Sequence, residues 1–119
     1  MQYALLIYDD ETEWAKMSED ERNGLYGEYF AFTNELRASG SYVDGNPLQP
    51  TSDATTVRVR NGEQVVTDGP FAETKEQLGG YYIVETASAD EALEWAAKIP
   101  GARVGSIEVR PVMPVGAAA

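Results

Sequence analysis

Asn61-Gly62 separates two runs rich in β-branched residues, Thr55–Arg60 and Glu63–Thr67. A two-residue hairpin turn whose twist matches its strands is of type I′. That turn needs positive φ at both central positions, which Asn-Gly tolerates best. The turn sets a register in which Arg60 faces Glu63, Val59 faces Gln64, Val57 faces Val66 and, by extension, Thr55 faces Asp68. Side chains alternate along a strand, so Val57, Val59, Val66 and Asp68 share one face while Arg58, Arg60, Val65 and Thr67 share the other. Asp68 therefore ends its strand on the more apolar side, where a carboxylate is poorly placed if its only task is solubility.

The rest of the chain reads outward from this hairpin. Tyr3-Ala4-Leu5-Leu6-Ile7-Tyr8 is apolar at both parities, the pattern of a strand covered on two faces. Asp9 to Lys16 reads as a solvated acidic loop, because its carboxylates lack the spacing and central glycine of a calcium loop. Ser18 and Glu21 form a capping box. The helix it opens carries a stripe of Leu25, Tyr29, Phe32 and Leu36, widened by Tyr26, Phe30 and Thr33 and expected to be core. Gly24 and Gly27 weaken this helix, and Gly40 stops it. Tyr42-Val43 and an Asp44-Gly45-Asn46-Pro47 turn lead to Leu48 as a short strand, and Gln49–Ala54 is loop. Beyond the hairpin come the Asp68-Gly69-Pro70-Phe71 turn, a charged segment with Glu73, Lys75 and Glu76, and Gly79-Gly80. The paired glycines lack the strand–loop–helix setting of a phosphate loop and read as close backbone packing or a bulge.

Gly80–Glu85 is a strand, and Ser88 with Glu91 forms a second capping box. Its helix carries Leu93, Trp95, Ala96 and Ile99 and ends at Pro100-Gly101. Arg103–Val112 is the last strand, with Ile107 and Val109 on one side and Glu108 and Arg110 on the other. The order predicts an α+β, ferredoxin-like βαββαβ domain over residues 1–113 with an inserted hairpin, followed by a frayed tail at 114–119. Helices on one face leave the other face of the sheet open. Strands apolar at both parities then point to a homodimer whose sheets pack face to face.

Composition narrows the chemistry. Twenty acidic and nine basic residues give a net charge of −11, which opposes binding to nucleic acid or to anionic membranes. Residues 1–53 hold eleven of the acids and three of the bases, so an anionic ligand, if one binds, is expected in the second half. There is no cysteine and no histidine, which removes thiol chemistry, the commonest acid/base residue and a haem axial ligand. No metal site and no cofactor is implied. The chain lacks a membrane-spanning apolar run and a signal-peptide start, so the cytoplasm is its expected compartment.

Several residues resemble a known family. Asp68-Gly69-Pro70-Phe71, the following Glu73-Thr74-Lys75-Glu76-Gln77-Leu78-Gly79-Gly80-Tyr81 and the closing Glu108-Val109-Arg110-Pro111 resemble the DGPF subgroup of YCII-related proteins. So do the Tyr3-to-Tyr8 strand and the box at Ser88 with Glu94-Trp95-Ala96. The resemblance covers about residues 1–113 and implies a dimeric α/β barrel, with two sheets around a shared space and a cleft in each protomer. It also implies an acid/base pair of histidine and aspartate, association with extracytoplasmic-function sigma factors, and kinship with cofactor-free monooxygenases, muconolactone-type isomerases and haem enzymes. Without histidine, this chain can supply only the acidic member, Asp68.

Each candidate residue carries two readings. Asp68 is a general base tuned by burial, or a turn residue bonding its own amides. Lys75 and Arg110 hold a substrate anion, or pair with Glu73, Glu76 or Glu108. Tyr8, with Tyr81 and Tyr82, donates to a developing oxyanion, or fills the dimer space. Phe71 packs as a plug under its turn. The function expected is binding of a small organic molecule in a cleft near Asp68, as a cofactor-independent proton-transfer enzyme of isomerase or lyase type. The alternative is a non-catalytic ligand-binding or regulatory module that partners a sigma factor.

Overall fold

In a computed structural model that describes residues 1–116, the chain runs β1 (Gln2–Asp9), α1 (Glu11–Lys16), α2 (Glu19–Ser39), β2 (Tyr42–Pro47), β3 (Thr55–Arg60), β4 (Glu63–Asp68), β5 (Gln77–Glu85), α3 (Ala89–Lys98) and β6 (Ser106–Pro111). Short 3-10 turns occupy Thr51–Asp53 and Pro100–Arg103. Positions 117–119 of the expected tail lie outside the described residues. Four strands form an antiparallel sheet in the order β2-β5-β1-β6, the ferredoxin-like arrangement, and β3-β4 form a separate hairpin inserted between β2 and β5. Among the described residues, no helix is long and apolar enough to cross a membrane.

β1 lies between β5 and β6 and sends Tyr3, Leu5 and Ile7 to one face. There they meet Tyr82 and Val84 of β5, Phe32 and Leu36 of α2, and Ala92 and Ala96 of α3, with Ile99 closing the cluster. Leu5, Leu36 and Val84 are fully buried. Phe32 meets the Tyr82 ring edge-on at 5.2 Å and the Trp95 ring at 6.1 Å, locking α2 to β5 and to α3. Both helices therefore cover the same face. The opposite face, with Ala4, Leu6, Tyr8, Tyr81 and Ile83, has no helix over it.

The helix ends follow from local chemistry. Ser18 Oγ accepts from the Glu21 amide and the Glu21 carboxylate accepts from the Ser18 amide, both at 3.1 Å, completing the box. Gly40 closes α2 with φ of 83°, a left-handed backbone that glycine adopts without cost. At α3 the box is only half made. Ser88 accepts from Glu91 N–H, but the Glu91 carboxylate accepts from Ala87 N–H instead.

Three local expectations are corrected. Asp10–Lys16 is not loop, because Asp10 caps α1 by accepting from the Thr12 amide and hydroxyl at 2.9 and 2.6 Å, and Glu11 and Glu13 complement its N-terminal dipole. Asp44–Pro47 is not a turn but the body of edge strand β2, in which Gly45 lies opposite Tyr82 and Pro47 opposite Gly80. A Cβ at Gly45 would stand 2.6 Å from the Tyr82 ring, so glycine lets this backbone close on β5, and an edge strand tolerates proline. Phe71 is no plug, since 77% of its surface is exposed.

The hairpin has the register predicted from Asn61-Gly62, with Thr55 opposite Asp68 and φ of 53° and 79° at the turn. The apolar face is uncovered within the chain: Val57, Val59 and Val66 are exposed, as is Asp68. Gly79 is the extra residue of a bulge, since Ile7 pairs with Gly80 and Tyr8 with Leu78.

Because Leu36 joins α2 to the sheet with no exposed surface, Leu36→Ala should lower unfolding free energy by about 2–5 kcal/mol in urea denaturation.

Candidate functional site

β1 does not stop at its apolar residues. The alternation that buries Tyr3, Leu5 and Ile7 places Asp9 next on the helix-covered side, at the strand's end. There it lines a cleft of about 970 Å³ between the sheet and the first two helices. Its walls are α2 (Tyr26, Tyr29, Phe30, Thr33, Arg37), α1 (Trp14), β2 with the loop to Pro50, and Gly79–Tyr82 of β5. Tyr26 and Phe30, expected in the core, are instead 59% and 71% exposed as cleft wall. α1 is held over this space by Trp14, whose ring meets Tyr26 edge-on at 5.4 Å.

Glu11 fastens the mouth of the cleft. Its carboxylate accepts from the Thr51 amide at 2.8 Å and hydroxyl at 2.7 Å, tying α1 to the loop after β2, and its own amide donates to Gln77 Oε1. That leaves Asp9 as the acid in the cleft whose carboxylate has no hydrogen-bond partner among the described residues. Asp9 Oδ1 stands 3.4 Å from where a Cβ on Gly79 would be, and its own Cβ 3.1 Å from that of a substituted Gly105. Two glycines thus make room for it. Burial first, then the charges of Glu11, Glu76 and Asp10, push the Asp9 carboxyl up from its ordinary value.

Tyr29 is the neighbouring hydroxyl. Its oxygen accepts from Gly101 N–H at 3.1 Å, while burial, the largest influence, and the Asp9 charge among others push its phenol up to about 12. Tyr29 therefore keeps its proton near neutrality and can donate it to an oxygen in the cleft. Further along, Tyr82 and Thr33 hydroxyls share a hydrogen bond of 2.7 Å, and the Asn46 amide donates to the Tyr81 hydroxyl at 3.0 Å. The Arg37 guanidinium lies 4.2 Å from the centre of the Tyr42 ring. A carboxyl with a raised pKa, a protonated phenol and apolar walls can move a proton at a bound carbon or oxygen atom.

None of Asp68, Tyr8, Lys75 and Arg110 lines this cleft. Asp68 is exposed at the hairpin end, so its own chain does not supply the water-poor surroundings expected for it. Tyr8 and Arg110 both belong to the open face of the sheet, Tyr8 opposite Ser106 and Arg110 opposite Ala4, and Arg110 pairs there with Glu108. Lys75 is exposed between Phe71 and Glu76, and its charge helps to lower Asp10, after the Thr12 hydrogen bonds and Lys16. The structure thus brings Tyr8 and Arg110 to one face and leaves Asp68 and Lys75 apart from them. The residue missed from sequence is Asp9, and its signal was the parity of Tyr3, Leu5, Ile7 and Asp9.

A helix-covered ferredoxin-like sheet with an acid-bearing cleft defines the class, and the chain belongs to the YCII-related domain family, whose model matches residues 1–116. It is 41% identical over 114 residues to an uncharacterized protein of Rhizobium meliloti, covering 94% of this chain and 92% of that one. Among solved structures it is similar in fold to 5-chloro-2-hydroxyhydroquinone dehydrochlorinase from Burkholderia phenoliruptrix in complex with 2,5-dihydroxybenzoquinone, at a TM-score of 0.52 and 18% identity, with 95% and 94% of the two chains covered.

Asp9 gives a pH signature with a definite sign. Its folded-state pKa is raised, so the folded chain binds more protons than the unfolded one, and the ionised carboxylate destabilises the fold above that window. Asp9→Asn should therefore be more stable than the parent at pH 7, with the difference shrinking as pH falls toward the ordinary value of 3.8; urea denaturation at several pH values reads this.

Proposed function

We propose that this protein binds a small, largely apolar organic molecule in the cleft between α2 and the sheet and moves a proton on it without a cofactor, in a reaction of isomerase or lyase type. The observation that carries the reading is Asp9: a partly buried carboxyl, raised in pKa, without a hydrogen-bond partner among the described residues, at the end of an aromatic-walled cleft. Asp9 is the base that takes a proton from an acidified carbon, and the Tyr29 hydroxyl donates to the oxygen on which negative charge develops. The fold shared with a dehydrochlorinase that holds a benzoquinone is consistent with a cyclic, carbonyl-bearing ligand. The Asp68-Gly69-Pro70-Phe71 signature supports membership of the DGPF subgroup, and the proposal takes the protein as cytoplasmic.

The proposal includes a homodimer built as a dimeric α/β barrel. A lone two-stranded hairpin is marginal in water, yet β3-β4 leaves Val57, Val59 and Val66 at 58%, 63% and 55% exposure. The radius of gyration of 16.5 Å also exceeds the roughly 13.5 Å of a compact chain this long. A second copy covering the open sheet face and the hairpin accounts for both, and would give Asp68, Tyr8, Lys75 and Arg110 surroundings that one chain lacks. The same exposed hairpin favours a second reading, a regulatory module whose partner is a sigma factor.

Deuterium exchange at the α-carbon of phenylacetone, followed by proton NMR in D2O, tests the chemistry. The wild type should accelerate exchange over buffer, and Asp9→Asn should lose about 100-fold or more of that acceleration. If Asp68→Asn loses it and Asp9→Asn does not, the base is Asp68; no acceleration by the wild type refutes proton transfer. Sedimentation equilibrium should read a dimer for the wild type and a monomer for Val57→Asp/Val66→Asp. A wild type that stays monomeric at micromolar concentration argues against the assembly.

A further inference from the structure

The charged side chains lining the cleft are Asp9, Glu11 and Arg37. Glu11 is held by Thr51, so the free charge chemistry is an acid at one end and an arginine at the other. Arg37 is one of five bases, with Arg22, Arg58, Arg60 and Lys75, that form no ion pair among the described residues, and of these five it is the one that lines the cleft. Acids outnumber bases by twenty to nine, and Lys16, Lys98, Arg103 and Arg110 all have carboxylate partners. Arg37 lines the cleft yet has no ion pair or side-chain hydrogen bond among the described residues, and rests on the Tyr42 ring. A guanidinium stacked by its face keeps its edge N–H groups available, and their planar fork matches a carboxylate.

The helix sets the distance between the two ends. Tyr29, Thr33 and Arg37 follow one another at i, i+4 and i+8 along α2, and all three line the cleft. At 1.5 Å per residue, Arg37 lies about 12 Å along the axis from Tyr29, the neighbour of Asp9. Between the ends along α2 stands Phe30, and Tyr82 of β5 also lines the cleft. One guanidinium balances one negative charge, which favours a monoanion over a dianion in a chain this acidic.

We propose that the cleft takes an elongated aromatic carboxylic acid, about two rings long, with its carboxylate on Arg37 and its far end at Asp9 and Tyr29. This rests on the cleft being the ligand site and specifies which ligand it takes. The carboxylate is the handle that orients the molecule, and the aromatic walls hold the rings by stacking and edge contacts. The acidic C–H or leaving group is then expected at the end of the ligand remote from its carboxylate.

Isothermal titration calorimetry with 4-biphenylcarboxylate and its neutral analogue 4-biphenylcarboxamide tests this. The carboxylate should bind wild type more tightly than the amide, and Arg37→Gln should weaken the carboxylate about 10-fold or more while changing the amide less than about twofold. Arg37→Lys, which keeps the charge without the fork, should recover only part of the loss. Equal affinity of wild type for acid and amide overturns the arginine anchor while leaving the cleft as a binding site. Failure of both probes to bind overturns the anchor and the cleft reading together. The acid/amide comparison needs no variant, so the outcome stands even if Arg37→Gln does not fold.

Discussion

The packing of β1 against α2 and α3 is the contact on which the remainder depends. β1 is hydrogen-bonded on both edges, to β5 and to β6, so it cannot rotate to present its other face. Its alternate residues Tyr3, Leu5 and Ile7 must go under the helices, and with fully buried Leu36 and Val84 they make the core. The same constraint continues one step past the apolar run. Asp9 has the parity of Leu5 and Ile7, so the force that buries them carries a carboxylate to the inner end of the sheet.

That acid is tolerated because its surroundings are only partly dry and are shaped to receive it. Gly79 and Gly105 leave it space, and Tyr29 sets a phenol beside it. Desolvation outweighs the neighbouring acids in raising its pKa. Glu11 sits almost adjacent in sequence but is given over to structure, accepting two hydrogen bonds from Thr51. Two acids two residues apart thus take different tasks, because strand and helix aim them differently.

The aromatic residues of α2 divide along the same line. Phe32 and Leu36 face the sheet and α3 and are buried, whereas Tyr26 and Phe30 are exposed and line the cleft together with β2 and the loop to Pro50. A stripe that looks uniformly core-forming on a helical wheel is therefore half core and half cleft wall. The Tyr29-Thr33-Arg37 row runs along the boundary.

Much of the architecture was legible in the residues themselves: the Asn61-Gly62 register, the Ser18 box, the Gly40 stop and the ferredoxin-like element order. Each rests on local rules, a turn's φ signs or a cap's hydrogen bonds, that act between residues near in sequence. The short helix α1 was missed because Asp10 capping looked like one more acid in an acidic loop. β2 was missed because Asp-Gly-Asn-Pro is turn chemistry until an edge of β5 offers it hydrogen bonds. The sequence by itself determined which residues alternate, including the parity of Asp9, and the face on which Asp68 would stand. Only the tertiary structure decided that the face of Asp9 is covered by α2 while that of Asp68 stays open within the chain, because covering a face takes contacts between elements distant in sequence.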